Sequence, residues 1–149
     1  MIIETNSDKE TFDFGKRLGE KAGKGDIFCL DGDLGTGKTV IAKGIAAGLG
    51  VKEPVSSPTF TVVKEYHEGR LPFYHFDVYR IEDPLEMEEI GYEDYFYGDG
   101  VTVIEWSDMI EDLIPGNALR IRLIKSPDKG FDFRQISISE NNLGKDLSH

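Results

Sequence analysis

Apolar residues recur along this chain in two rhythms, a spacing of three to four that marks helices and an alternation of two that marks strands. Ile2 and Ile3 open a short strand. Ser7 and Glu10 then stand at capping-box spacing, with Phe14, Leu18 and Ala22 following at helical intervals, so a helix is predicted over residues 8 to 22. Ile27, Phe28, Cys29 and Leu30 form a continuous apolar strand. Beyond it Ile41, Ile45 and Leu49 repeat at a spacing of four, and Gly50 supplies a left-handed stop to that second helix. Residues 59 to 65 and 71 to 78 are β-rich and flank His67, Glu68, Gly69 and Arg70, which predicts an antiparallel hairpin.

In the second half, Asp83, Pro84 and Glu86 combine an N-cap, a proline at the first helical position and an early acid, starting a helix that runs to Gly91. Its Glu86, Glu88 and Glu89 read as a solvated face. Residues 101 to 105 are a compact apolar strand ending in a carboxylate, followed by Trp106 and a short helical stretch that Pro115 and Gly116 terminate. Residues 119 to 124 and 131 to 138 alternate around Ser126, Pro127, Asp128, Lys129 and Gly130, giving a second hairpin. The fold class is therefore α/β with a mixed sheet, its centre parallel and its edges antiparallel hairpins.

Composition narrows the function. A chain of 149 residues with 39% hydrophobic content makes one domain, assigned to residues 1 to 140, with a polar tail from 141 to 149. Twenty-eight acidic against seventeen basic residues give a net charge of -11, which disfavours autonomous nucleic-acid binding. The single Cys29 excludes an intrachain disulfide and reads as a buried, inert thiol, in keeping with the cytoplasm. The three histidines, at 67, 75 and 149, are too dispersed to suggest a zinc site. No apolar stretch approaches the roughly 20 residues of a membrane span, and the start lacks signal-peptide character.

The chemistry begins at Gly32-Asp33-Leu34-Gly35-Thr36-Gly37-Lys38-Thr39, which matches the P-loop pattern and sits between a strand and a helix. Its glycines let successive backbone N–H groups turn inward onto phosphate oxygens. Lys38 is placed to reach the β and γ phosphates, and the Thr39 hydroxyl to coordinate Mg²⁺ at the positive end of the helix dipole. Hydrolysis needs acids as well. Asp77 and Glu105 both close apolar strands; either is placed to enter a metal shell, and Glu105 also to orient or deprotonate a water. The sequence leaves the division of roles open. Ser57-Pro58-Thr59 follows the P-loop helix where switch segments sense the γ phosphate, although taken alone a plain turn is the safer reading. Arg80 offers a charge for phosphate and Trp106 a ring for a base or a partner, but a surface ion pair and a packing residue are the commoner roles of such residues.

The ordered set of Gly32 to Thr39, Ser57-Pro58-Thr59-Phe60-Thr61, Tyr74-His75-Phe76-Asp77-Val78-Tyr79-Arg80, Ile90-Gly91-Tyr92-Glu93-Asp94-Tyr95-Phe96 and Ile104-Glu105-Trp106 resembles the TsaE family, also called YjeE. The resemblance spans most of the chain. It implies a three-layer P-loop fold and a small bacterial ATPase that serves the making of threonylcarbamoyladenosine in tRNA, acting with TsaD and TsaB, with tRNA met only through that complex. It also implies ATP and Mg²⁺ as cofactors, ADP as product, and slow turnover by the isolated chain.

By the same resemblance, Asp33, Leu34, Gly35, Thr36, Gly37, Lys38, Thr39 and Val40 contact the nucleotide, Lys38, Asp77 and Glu105 are catalytic, and Thr39, Asp77 and Glu105 face the metal. Thr59 belongs to the switch-like loop, Trp106 lies beside the nucleotide, and Ser7 and Thr11 fall where the N-terminal segment approaches the base, though capping accounts for them too. Two rivals share the P-loop: a small kinase, for which no Arg-rich lid is visible, and a non-catalytic ATP switch. The Asn-Lys-x-Asp motif of many GTPases is absent, which favours adenine.

Overall fold

In the computed structural model, residues 1–58 and 61–140 are described. Thr59, Phe60 and the tail at 141–149 lie outside them. Seven strands form one sheet: β1 (Ile2–Thr5), β2 (Ile27–Asp31), β3 (Val63–Tyr66), β4 (Phe73–Asp77), β5 (Val101–Glu105), β6 (Leu119–Lys125) and β7 (Arg134–Glu140). Their spatial order is β1-β7-β6-β2-β5-β4-β3. The four central strands β6, β2, β5 and β4 run parallel, while β7 and β1 on one side and β3 on the other pair antiparallel. This is the mixed sheet that the alternation patterns predict.

Two helices cover one face. Helix α1 (Asp8–Lys21) is capped by Ser7, whose hydroxyl accepts from the Glu10 N–H at 3.1 Å, while Glu10 accepts from the Asn6 N–H. Helix α2 (Lys38–Gly48) grows directly out of the glycine-rich loop. The two approach with almost no side chain between them: a Cβ at Gly15 or Gly19 would strike the carbonyls of Ile41 or Ile45, and one at Gly44 or Gly48 those of Phe12 or Lys16. Arg70, from the β3–β4 turn, closes the end of α1 by donating to the Gly19 and Ala22 carbonyls at 2.7 Å each.

The second face is covered by α3 (Leu85–Ile90), α4 (Tyr92–Phe96) and a 3-10 segment, Ser107–Leu113. Asp83 accepts from the Leu85 N–H and Glu86 from the Asp83 N–H, so the predicted residues do close this end, although the helix starts at Leu85, one residue later than predicted, with Pro84 in the cap position. The periodicity foresaw no second helix after Gly91. That glycine, at φ 78°, ends α3 and turns the chain straight into α4. β3 and β4 are shorter than predicted, starting at Val63 and Phe73; in the second hairpin β6 runs one residue further, to Lys125, while β7 starts later, at Arg134.

The period of two divides the sheet residues between two cores. Phe28, Leu30, Phe73, Val101 and Val103 pack beneath α1 and α2, whereas Ile27, Cys29, Phe76 and Ile104 pack beneath the shorter helices with Met87, Phe96 and Ile110. Asp77 and Glu105, at odd positions of β4 and β5, therefore share the face of α2, where the P-loop ends. Cys29 is fully buried, and that burial pushes its thiol up to about 12. Among the described residues no helix is long and apolar enough to cross a membrane.

Candidate functional site

The loop between β2 and α2 takes the backbone shape that its glycines foretell. Gly35 and Gly37 adopt φ of 75° and 99°, and a Cβ on Gly32 would meet the Leu123 carbonyl oxygen at 2.5 Å. Lys38 closes the loop on itself, its ammonium donating to the carbonyls of Gly32 at 2.6 Å and Asp33 at 2.8 Å and lying 4.0 Å from the centre of the Trp106 ring. Burial draws this ammonium below its ordinary range, opposed by the charges of Glu105, Asp31, Asp33 and Asp77. Trp106 itself holds a left-handed φ of 64°, the one such non-glycine residue among those described, which turns the chain sharply after β5.

Behind the loop stand the two strand-end acids, paired in register on adjacent strands. Their surroundings differ. Glu105 is buried and accepts from the Thr39 hydroxyl at 3.2 Å; Ser57 lies 2.9 Å from Thr39 and 3.4 Å from the same carboxylate. His75 Nε2 stands 2.5 Å from Glu105 Oε2. Asp77 is half-buried and is held by the Tyr79 N–H at 3.1 Å. Burial pushes its carboxyl above the usual range, the Tyr79 bond working against that and the Glu105 charge adding to it. Asp31, at the end of β2, is also raised by burial and is engaged by the Ser107 hydroxyl at 2.6 Å, away from this cluster.

A pocket of about 450 Å³ opens at this end of the sheet, lined by loop residues 34 to 40 together with Ser57, Asp77, Glu105 and Trp106. It thus gathers Leu34, Gly35, Thr36, Gly37, Lys38, Thr39 and Val40 with both acids. Asp33 lies outside it and contributes its carbonyl to Lys38. Ser7 and Thr11 do not line the pocket: Ser7 caps α1, and the buried Thr11 hydroxyl sits 2.7 Å from that of Thr5. Their neighbour Asp8 lines it instead. Arg80 is exposed and apart from the pocket, and Thr59 lies outside the described residues.

The C-terminal hairpin supplies what the sequence reading lacked. Buried Arg134 donates through Nε to the Thr36 carbonyl at 2.8 Å and through Nη2 to that of Gly35 at 3.3 Å, with Nη1 on Phe131 and Phe133. The P-loop is thereby bolted to β7. Lys125 and Phe131 of the same hairpin also line the pocket. Chemically, the site joins a glycine-rich loop, cations at 38, 125 and 134, a threonine hydroxyl at a helix start and two carboxylates. Such a set suits a polyphosphate with a hard divalent cation.

Comparison with known proteins agrees in extent and kind. The family model described as threonylcarbamoyl adenosine biosynthesis protein TsaE matches residues 5–136. A relative from Bacillus subtilis, named tRNA threonylcarbamoyladenosine biosynthesis protein TsaE, is 44% identical over 91% of this chain and 82% of its own length. One of the same name from Haemophilus influenzae is 38% identical over 90% and 86%. The crystal structure of Bacillus subtilis YdiB superposes with a TM-score of 0.81 at 37% identity, covering 95% of this chain and 86% of that one. With the family model covering most of its length and these relatives more than a third identical, the chain belongs to the TsaE family.

Proposed function

We propose that this chain binds ATP with Mg²⁺ and hydrolyses it in the cytoplasm, in support of the transfer of threonylcarbamoyl to adenosine in tRNA by TsaD-like and TsaB-like partners. The observation that carries the reading is the contact of Thr39, the second residue of the P-loop helix, with buried Glu105 at 3.2 Å. A P-loop hydroxyl backed by a strand-end carboxylate is the pair that P-loop ATPases use around their metal. The donor set fits: both groups present hard oxygens at the end of the pocket where the α2 N-terminus points. When bound, Mg²⁺ would neutralise charge on the β and γ phosphates.

The remaining work falls to the chain. Lys38 exchanges the Gly32 and Asp33 carbonyls for phosphate oxygens, and loop N–H groups take the others. Asp77, less engaged than Glu105 and raised by burial, accepts the proton of the attacking water as the bond from the γ phosphorus to the bridging oxygen breaks, leaving ADP and phosphate. The net charge of -11 leaves contact with tRNA to the partners.

The test is Mg²⁺-dependent ATP hydrolysis by the purified chain, alone and with TsaD and TsaB proteins, using Lys38→Ala as the blank. Slow turnover alone, stimulation by the partners and loss of both in the variant are expected. ATP binding with no hydrolysis in any combination would replace the ATPase with an ATP-driven switch.

A further inference from the structure

His75 is fully buried in the middle of β4, and its ring contacts the hydrocarbon of Phe73 at 6.1 Å between centroids. Nε2 has a single partner, Glu105 Oε2 at 2.5 Å, while Nδ1 has none among the described residues. An unpartnered nitrogen in a core is unfavourable, and an apolar side chain of similar size would fill the same space without it. The pattern also fixes which nitrogen bears the proton. With Nε2–H donating to the carboxylate, the orphan is a lone pair; the opposite tautomer would bury a donor without an acceptor and set two lone pairs against each other.

Two rotatable hydroxyls also reach Glu105: Thr39 lies 3.2 Å from Oε1 and 3.4 Å from Oε2, and Ser57 lies 3.4 Å from Oε2, the oxygen that His75 holds much more closely. Neither fixes the carboxylate, because a hydroxyl reaching a metal or a phosphate must redirect its lone pairs and its proton. The imidazole has no such freedom within the strand. We propose that His75 is a positioning residue: its Nε2–H holds one oxygen of Glu105 so that the other stays aimed at Thr39 and the metal position beside it. The proposal rests on the reading of Glu105 as the acid on the metal side. His75 touches neither nucleotide nor metal. Its place in the mechanism is that of the outer partner that orients a ligating carboxylate, a kind of contact whose loss commonly costs roughly 10- to 100-fold in metal affinity or activity.

The experiment compares His75→Leu, which removes the donor at similar volume, His75→Gln, which restores an N–H near the Nε2 position, and His75→Asn, which stays polar but falls short. The first readout is binding of a fluorescent ADP analogue in Mg²⁺ and in EDTA. His75→Leu and His75→Asn are expected to lose about tenfold or more of the gain that Mg²⁺ gives, with EDTA affinity within about twofold of the parent, and His75→Gln to recover most of it. ATP turnover should fall too, with KM rising in step with the lost Mg²⁺ gain, because slow chemistry keeps KM close to the dissociation constant. The second readout uses the metal-free parent chain: ring ¹⁵N NMR should show the Nε2–H tautomer, with its proton strongly downfield and displaced in Glu105→Ala.

An Nδ1–H tautomer, a Mg²⁺ gain unchanged in His75→Leu and His75→Asn, or a His75→Gln variant as impaired as His75→Asn would overturn the proposal. If His75→Leu does not fold, the Asn and Gln pair and the NMR measurement still decide. The outcome is separable from the ATPase reading: a parent that binds with Mg²⁺ but never hydrolyses ATP sinks the latter alone, while normal hydrolysis insensitive to His75 sinks only the former.

Discussion

The two faces of the sheet are covered by different means. Beneath α1 and α2 a core reaches from Tyr66 of β3 to Ile136 and Ile138 of β7, and the helices above it touch backbone to backbone through four glycines. The other face has only short helices over its centre, held by edge-on aromatic contacts such as Phe76 with Tyr95 and Phe96, each 5.3 Å between ring centroids. Over β6 and β7 that second face carries Arg120, Arg122, Ser137 and Ser139, the two arginines paired with Glu111 and Asp108. The lesson is one of placement. Thr39, His75, Asp77 and Glu105 all belong to the stiffly backed face, where loss of a few tenths of an ångström would matter most.

If the thin layer hangs on few anchors, Phe96→Ala should break it most severely. A loss of about 4 kcal/mol in urea unfolding is expected, with faster amide exchange confined to α3 and α4. Uniform acceleration across α1 and α2 would erase the distinction between the layers. Gly19→Val attacks the thick layer and should cost about 3 kcal/mol, because neither backbone can yield without moving the P-loop helix. Its control is Gly116→Ala, where a Cβ meets nothing within 4 Å.

Arg134→Met, which leaves the Gly35 and Thr36 carbonyls without their donors, should cost about 2 kcal/mol and weaken nucleotide binding measured by calorimetry. Unchanged affinity would mean that the loop keeps its shape without β7. The smallest effect concerns pH. The Asp77 carboxyl is raised in the fold above its ordinary value of 3.8, so stability falls as pH climbs from there through the folded value. Asp77→Asn should therefore melt slightly higher than the parent at pH 7, by less than about 1 kcal/mol after solvent screening, with the gap closing below pH 3.8.

Local signals made most of the fold legible. A capping box, a glycine stop and two alternating hairpins name elements whose causes lie within a few residues of chain. The α3–α4 break escaped because Gly91 both ends one helix and opens the next, and so reads as a single stop. The glycine contact between α1 and α2 left a trace that was not used: Gly15 and Gly19, like Gly44 and Gly48, stand four apart on predicted helices. Arg134 left none, since its acceptors are 98 and 99 residues away and nothing around it marks a phosphate loop. His75 lay inside a recognised segment, yet its partner is 30 residues on, and only the parallel register of β4 and β5 brings the two together.

One buried side chain decides how this molecule is best watched at work. With Cys29 sealed under the sheet and its thiol held far from reactivity, the chain gives maleimide reagents no purchase. A cysteine introduced at Phe131, 89% exposed at the mouth of the pocket, would carry a spin label or dye as the sole adduct. Paired with a second cysteine at exposed Tyr97, it would make a molecular ruler across the sheet, with no native thiol to be removed first.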